Sequence, residues 1–455
     1  MENKNKSKSS KINLSQLVLL GLGSLIGSGW LFGAWEASSI AGPAAIISWI
    51  IGFIVIGTIA YNYIEIGTMF PQSGGMSNYA QYTHGSLLGF IAAWANWVSL
   101  VTIIPIEAVS AVQYMSSWPW EWAKPMGALM KDGSISTIGL FAVYVIIAIF
   151  SLLNYWSVKL LTSFTSLISV FKLGVPLLTI IMLMISGFDT NNYGHSASAF
   201  MPYGSAPIFA ATTTSGIIFS FNAFQTIINM GSEIKNPEKN IARGIAISLT
   251  LSAILYIVLQ STFITSMPSS MIHEHGWNGI NFNSPFADMA ILLGINWLAI
   301  LLYVEAVVSP FGTGVSFVAV TGRVLRAMEK NGHIPKFLGK MNEQYNIPRV
   351  AIAFNAIISM IMVTLFRDWG TLAAVISTAT LVAYLTGPTT VISLRKMAPK
   401  MTRPFKANIL KFMAPLSFVL ASLAIYWAMW PTTAEVIFII ILGLPIYFFY
   451  EYKMN

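Results

Sequence analysis

The 455-residue sequence contains no cysteine and few charged residues, which make up 9% of the chain. The lack of cysteine excludes disulfide bridges, thiol catalysis and thiolate metal sites. The five histidines are scattered without the regular spacing of metal ligands, so we expect no metal site. Soluble globular chains carry about 25% charged residues. A soluble enzyme with one globular core surrounded by water is therefore not the default interpretation.

Hydrophobic residues are abundant instead, at 55% of the chain, and the mean hydropathy is +0.69. A helix that crosses a bilayer needs about 20 apolar residues. We therefore predict an all-α polytopic protein in a lipid bilayer, with about 12 transmembrane helices. The apolar runs lie near residues 14–41, 43–69, 85–115, 135–155, 157–186, 207–231, 244–266, 286–322, 350–366, 370–394, 409–430 and 433–450.

The net charge of +8 is explained by orientation in the membrane. A nucleic-acid partner would need a basic surface domain, and the sequence offers none. Most of the Lys and Arg residues fall in the N-terminal arm and in the connections that would share its side of the membrane. Cytoplasmic loops carry such an excess. We expect a multi-pass protein of the cell membrane with both termini in the cytoplasm, and no cleavable signal peptide.

Two of the apolar runs are interrupted near their middle. The first is broken by Gly27-Ser28-Gly29, and the sixth by Ser220-Phe221-Asn222-Ala223. Interrupted helices at matching positions of two inverted halves mark the binding site of many transporters. We therefore divide the chain into a cytoplasmic arm, two inverted repeats and a final helix pair, which are residues 1–12, 13–186, 205–395 and 409–455.

The first break predicts a binding site made of backbone groups. Glycine lowers the cost of leaving the helical conformation. The amides of Ser28, Gly29 and Trp30 would then begin a half-helix and bind a substrate carboxylate. The carbonyls of Ile26 and Gly27 would face its ammonium group. The alternative is that the small residues only allow close helix packing.

The sixth helix supplies the predicted opposite wall. Backbone carbonyls near Ser220 and Phe221 would face the ammonium group, beside Asn222. The rings of Phe221 and Phe224 would flank the substrate as a lid. The alternative for both rings is ordinary apolar packing.

Lys172 is the most informative single residue. It lies about 13 residues into its span, roughly 20 Å deep. Ionisable residues at such depth usually serve function, although Lys172 could instead be tied to helix carbonyls for structural reasons. Glu107 and Glu305 also lie within apolar runs, and either could be the partner of Lys172 or part of a proton route. For Glu65, near the inner face, we expect a structural role.

Several ordered motifs extend over most of the chain, in addition to the glycine break. They are AGPA at 41–44, MFPQSGG at 69–75, EIKNP at 233–237, RVLRAM at 323–328 and GHIP at 332–335. With these motifs the sequence resembles the amino acid–polyamine–organocation (APC) permeases. The outer loop SSWPWEWAK at 116–124 is similar to a bacterial subgroup usually described as aspartate:proton symporters.

The resemblance implies a fold, an activity and a coupling ion. The fold is the LeuT-type five-plus-five inverted repeat with helices 1 and 6 broken, and the activity is amino acid transport. In related permeases the lysine that matches Lys172 replaces a sodium ion between the first and eighth helices. Its proton is then the coupling ion, and Ser309 and Thr313 on the eighth helix are its candidate neighbours.

The sequence departs from the family where substrate would be recognised. Ala223 and Gln225 stand where the family often has glycine and an acid, and Trp30 replaces a smaller aliphatic residue. No arginine precedes Arg243, so a second substrate carboxylate lacks a bidentate partner, and Glu36 would oppose it. This favours a neutral or cationic amino acid, whereas the subgroup indicates aspartate. Both remain open.

We expect a secondary active transporter that imports an amino acid by proton symport with alternating access. One alternative is an amino acid exchanger, in which Lys172 is a fixed charge. Another is a proton-channelling membrane subunit, although the paired helix breaks argue against it. No His, Asp or Ser constellation indicates an enzyme, and we expect no cofactor other than coupling protons. The oligomeric state is open.

Overall fold

The protein is described here from a computed structural model. The structure describes residues 11–72, 74–156, 159–222, 224–342 and 347–454. Most of the predicted arm 1–12 and the predicted departure at Ala223 lie outside the described residues. Ile12, at the end of that arm, pairs with the backbone on both sides of Ile234. The first described residues are thereby attached to the segment that follows the sixth predicted span.

Helices make up the first half of the chain. They are α1 (Leu14–Leu25), α2 (Gly29–Ala41), α3 (Ala45–Met69), α4 (Gln81–Met115), α5 (Thr137–Trp156), α6 (Lys159–Ser186), α7 (Ala197–Phe200), α8 (Ala206–Thr214), α9 (Ile217–Ser220) and α10 (Phe224–Asn229). A small antiparallel hairpin, β1 (Met130–Lys131) and β2 (Ser134–Ile135), lies between α4 and α5.

The second half is built in the same way. Its helices are α11 (Pro237–Ser266), α12 (Ser269–Gly279), α13 (Pro285–Leu292), α14 (Asn296–Lys330), α15 (Lys336–Gly339), α16 (Arg349–Leu365), α17 (Trp369–Tyr384), α18 (Thr386–Met397), α19 (Leu410–Trp427), α20 (Thr432–Ile441) and α21 (Leu444–Met454). Short 3-10 helices occupy Gly42–Ala44, Gly75–Ser77, Glu121–Leu129, Thr190–Tyr193 and Gly231–Glu233.

The prediction of an all-α polytopic membrane protein is confirmed. Among the described residues, 8 helical stretches are long and apolar enough to cross a membrane, and shorter apolar helices accompany them. Each predicted apolar run coincides with one helix or a group of consecutive helices. Large apolar side chains such as Phe141, Ile185 and Phe412 are exposed on the outside of the bundle, as expected for a surface that faces lipid.

One predicted span was wrong in its extent. The run 286–322 is not one helix, because α13 ends at Leu292 and α14 begins at Asn296. Gly294 between them has a φ of +75°, a left-handed conformation that glycine adopts without strain. The spanning helix therefore begins later than predicted and continues to Lys330.

Helix α4 lies at the centre of the bundle. From Gly89 to Tyr114 every residue except Ile91 is buried, which is the pattern of a helix surrounded on all sides. It packs most extensively against α14 and α17, while α3 packs against α11. The central position of α4 brings Glu107 to the interior of the protein.

A buried ion-pair network fixes the end of α3. Glu65 is fully buried and accepts two hydrogen bonds from the Arg395 guanidinium, at 2.9 Å from Nε and 2.6 Å from Nη2. Arg403 Nε lies 3.4 Å from Glu65 Oε1, and the Ala407 amide donates to Oε2 at 2.8 Å. One carboxylate thus ties α3 to α18 and to the loop before α19, in agreement with the structural role expected for Glu65.

We predict that Glu65→Ala lowers the thermal stability of the detergent-purified protein. Removing one partner of a buried ion pair costs about 3–5 kcal/mol, because the remaining charge loses its counter-charge. The matched control is Glu121→Ala, which removes an exposed pair with Lys124 that contributes at most about 1 kcal/mol. Fluorescence-detected unfolding measures both variants. Equal apparent Tm values for the two would contradict this view of Glu65.

Candidate functional site

The first predicted break is present in the structure. Helix α1 ends at Leu25, and α2 begins at Gly29. Ile26, with φ −85° and ψ 79°, has left the helical conformation. The carbonyls at the end of α1 and the amides at the start of α2 therefore lose their helical partners. In a membrane interior, backbone groups freed in this way must find other partners.

Side chains from three other helices take the freed carbonyls. Lys172 Nζ on α6 donates to Gly23 O at 3.0 Å. The Tyr256 hydroxyl on α11 donates to Leu25 O at 2.9 Å, and Ser309 Oγ on α14 donates to Ile26 O at 3.1 Å. The end of α1 is thus held by side chains that come from distant parts of the sequence.

The start of α2 is held by a carboxylate. The Ser28 amide donates to Glu107 on α4, at 2.9 Å to Oε2 and 3.2 Å to Oε1. The Ser28 hydroxyl accepts a hydrogen bond from Trp369 Nε1 at 2.9 Å. In the described part of the chain, the amides of Gly29 and Trp30 have no such partner. Of the three amides predicted to bind a carboxylate, that of Ser28 is already paired with Glu107, and those of Gly29 and Trp30 have no partner among the described residues.

Lys172 connects the first break to α14. Besides Gly23 O it donates to Thr313 Oγ1 at 2.6 Å, so the predicted neighbours Ser309 and Thr313 both lie at this junction. The Coulomb fields of Glu107 and Glu305 both act on Lys172. All three ionisable groups are buried, and the Glu305 carboxylate accepts no hydrogen bond from any described residue. Three ionisable groups are therefore buried in the same part of the interior.

The second predicted break is also present and extends further than expected. Helix α8 ends at Thr214, and Gly216 has a φ of +81°, which favours glycine; a Cβ there would also lie 2.7 Å from the Trp369 ring. The short helix α9 follows and ends at Ser220, where the sequence predicted the interruption. Helix α10 resumes at Phe224.

Asn222 is fixed by hydrogen bonds from three directions. Its Nδ2 donates to Thr380 Oγ1 at 3.1 Å, and its Oδ1 accepts from Gln225 Nε2 at 2.7 Å. The Tyr384 hydroxyl donates to the same Oδ1. Gln225, the residue where the family often has an acid, thus acts as a donor to Asn222. The second break is attached to α17 as firmly as the first break is attached to α14.

The two breaks are in direct contact. A Cβ added to Gly29 would lie 2.6 Å from Ser220 Oγ and 3.7 Å from the Phe219 ring. The buried Ser220 hydroxyl has no hydrogen-bond partner among the described residues. The free amides of Gly29 and Trp30 and the hydroxyl of Ser220 therefore lie along one seam. These are groups that can bind a small zwitterion.

The predicted lid rings lie on either side of the second break. Phe221 packs edge-on against Trp49 and Tyr256, with ring centroids 5.7 and 5.8 Å apart. Phe224 packs against Tyr384 at 5.0 Å. Both rings are buried. Their role as a lid stays a prediction, and Phe219 is the ring that reaches the first break.

Several site residues have no local signal in the sequence. Trp369, Tyr256 and Tyr384 look like ordinary aromatic residues of apolar spans, yet each donates a hydrogen bond to one of the two breaks. Their contacts join residues more than a hundred positions apart. The described residues contain no group of three or more His, Asp or Glu that could hold a metal ion.

An all-α polytopic protein with two interrupted helices that meet inside the membrane has the architecture of a secondary transporter. Residues 12–448 match the family model described as "Amino acid permease". The chain belongs to this family, within the APC superfamily, as the motifs predicted. It is therefore an amino acid transporter and not an enzyme.

The chain is similar to three proteins of Bacillus subtilis over most of their length. The chain is 52% identical to the glutamate/serine transporter AimA over 437 residues, which is 96% of this chain and 81% of that protein. It is 34% identical to the aspartate-proton symporter over 427 residues, 93% of this chain and 80% of that protein. The branched-chain amino acid permease BcaP of the same organism is 26% identical over 98% of this chain and 94% of its own length.

We predict that Gly27→Ala disrupts the first break. A Cβ at Gly27 would lie 2.4 Å from Glu107 Oε1, so the carboxylate would have to leave the Ser28 amide. The apparent Tm of the purified variant should fall, and Glu107→Asp in the same protein should restore part of it because the shorter side chain makes room.

The control is Gly57→Ala, where a Cβ would meet no atom within 4 Å. This change should leave the apparent Tm unchanged or slightly higher, since alanine favours the helix. If Gly27→Ala changes the apparent Tm as little as Gly57→Ala does, the close approach of Glu107 to the break does not contribute to stability.

Proposed function

We propose that the protein imports an amino acid together with protons by alternating access. The observation that carries the proposal is the bridge from Lys172 to Gly23 O on α1 and Thr313 Oγ1 on α14. An ammonium at this junction links the end of the broken helix to a long helix of the scaffold. Its protonation state is therefore connected to the position of α1.

The proton would act through the strength of this bridge. As an ammonium, Lys172 donates charge-assisted hydrogen bonds, which are roughly twice as strong as neutral ones. When the proton leaves, the amine holds Gly23 O and Thr313 only weakly, and α1 can move relative to α14. Glu107 holds the other side of the break through the Ser28 amide. Both ends of the break thus depend on groups that can gain or lose a proton.

Alternating access follows from the contact between the two breaks. Gly29 and Ser220 leave no room for a side chain between them, whereas an amino acid needs a pocket. Substrate binding would therefore require the breaks to separate. We propose that the Gly29 and Trp30 amides then take the α-carboxylate, with the carbonyls of the two breaks facing the ammonium group.

For the substrate we propose an acidic or small polar amino acid. The two relatives above that are more than 30% identical are named for glutamate and serine and for aspartate. The lack of an arginine near the breaks still counts against tight binding of a second carboxylate in the centre. A substrate such as serine needs only the backbone groups of the two breaks. An acidic substrate would place its second carboxylate near Lys172.

The orientation is also part of the proposal. The excess of Lys and Arg on the side of the amino terminus supports cytoplasmic termini in a bacterial plasma membrane. The ends of α10 and α14 would then open to the cytoplasm, since the charged segments after them carry this excess. Substrate would enter from the opposite side.

Uptake by purified protein in liposomes tests the coupling. We expect labelled L-serine or L-glutamate to accumulate when the outside is more acidic than the lumen, without amino acid inside. Lys172→Met should reduce gradient-driven accumulation at least tenfold while the protein still inserts. The control Lys124→Met, in an exposed outer pair, should behave like the wild type.

Two results would contradict the proposal. Uptake that ignores the gradient and requires amino acid inside the liposomes would identify an exchanger. Full gradient dependence in Lys172→Met would show that the proton is carried elsewhere, with Glu305 the next residue to replace.

A further inference from the structure

A partly open cavity lies beyond the central site, where α10, α14 and the Gly74 turn meet. Its enclosed volume is small, about 10 Å³, which is the space of about one water molecule, and the rest of it is open to the surroundings. Its polar lining residues are Thr226, Asn229 and Arg323, and Val320 and Val324 add an apolar wall. The cavity is separate from the two helix breaks.

The cavity lies on the path from the central site toward the face that carries the amino terminus. Asn229 ends α10, five residues after Phe224, which is about 8 Å along the helix. Arg323 lies ten residues after Thr313 on α14, or about 15 Å along that helix. A substrate that leaves the breaks between α10 and α14 would pass this cavity.

The Asn229 side chain offers a donor without an acceptor. Its Oδ1 accepts a hydrogen bond from the Met76 amide at 3.3 Å, which settles the orientation of the side-chain amide. Its Nδ2 is buried and finds no partner among the described residues. Asn229 is only 8% exposed, and leaving a buried donor unpaired costs about 1–3 kcal/mol. A ligand with an acceptor oxygen would remove that cost.

The other polar groups of the cavity are also donors. Arg323 is exposed at the open side of the cavity, and within the described ranges its guanidinium makes no ion pair or hydrogen bond. The Thr226 hydroxyl likewise donates to no described residue. The nearby backbone carbonyls are taken, because Asn229 O accepts from the Gly74 amide at 3.0 Å and Thr226 O from the Met230 amide at 3.2 Å. A guanidinium, an amide and a hydroxyl together are suited to a carboxylate.

We propose that this cavity is a transient binding site for the side-chain carboxylate of an acidic amino acid on its way to the cytoplasm. The inference rests on the proposed transport function and orientation. Arg323 can bind a carboxylate in the bidentate manner that no arginine provides at the breaks. Serine has no net charge. If its α-carboxylate binds Arg323, its ammonium group comes close to the guanidinium, and the two positive charges repel each other. The site therefore favours substrates with a net negative charge.

The test compares labelled L-glutamate and L-serine at the face that carries the amino terminus. Protein is inserted into liposomes with known sidedness, and the apparent KM at that face is measured for each substrate. For Arg323→Gln we expect the KM of glutamate to rise about tenfold, equivalent to about 1.4 kcal/mol. The KM of serine should change less than about twofold, a difference of at most about 0.4 kcal/mol.

Two further variants keep the test decisive. Asn229→Asp preserves the acceptor for the Met76 amide and replaces the free donor by a negative charge, so glutamate should again be affected more than serine. Arg326→Gln, on the same helix but outside the cavity, should change neither substrate.

The proposed site would be contradicted if Arg323→Gln and Asn229→Asp changed the KM of glutamate and of serine equally, or changed neither. Failure of the transport function itself would be visible separately, because wild-type protein would then move neither amino acid.

Discussion

The structure depends on one constraint, which is that a helix interrupted inside a membrane must find partners for its freed backbone groups. At the first break, Lys172, Tyr256 and Ser309 take the carbonyls of Gly23, Leu25 and Ile26, and Glu107 takes the amide of Ser28. These side chains come from α6, α11, α14 and α4. The break therefore organises the helices around it. Since Lys172 and Glu107 can gain or lose a proton, the proposed coupling would act through the geometry of this break.

The parts of the molecule that the proposed mechanism treats as fixed and as moving differ in the contacts that hold them. Helix α4 is buried on all sides, and Glu65 attaches the end of α3 to α18 by a network of charged hydrogen bonds. By contrast, α1 is attached to α14 through Lys172 and Ser309 alone in the contacts described above. Helix α1 itself packs extensively against α11, so the proposed alternating access requires a change in its link to α14, which the ionisable Lys172 makes. The seam between Gly29 and Ser220 is where the two breaks would part.

The sequence predicted those features that depend on local composition. Apolar runs gave the helices, glycines indicated the first break, and the depth of Lys172 in its span singled it out. Glu107 was singled out as an acid within an apolar run, but its pairing with the Ser28 amide was missed because that contact joins residues distant in the sequence. The contacts of Tyr256 and Trp369 were missed because nothing local distinguishes these aromatic residues from others in apolar spans. The split between α13 and α14 was missed because Gly294 interrupts an otherwise continuous apolar run. Arg323 was interpreted as part of the RVLRAM motif and of the excess of basic residues on one side, since its place beside Asn229 appears in three dimensions alone.

The most direct test of the central claim, that Lys172 carries the coupling proton, is the proton movement that accompanies substrate. Liposomes with a weakly buffered lumen, a pH-sensitive dye and a clamped membrane potential would receive L-serine or L-glutamate without an initial pH gradient. The account predicts that the lumen acidifies in proportion to the amino acid taken up by the wild type. Lys172→Met should take up amino acid down its gradient without acidification. Acidification by this variant in the wild-type proportion would contradict the account.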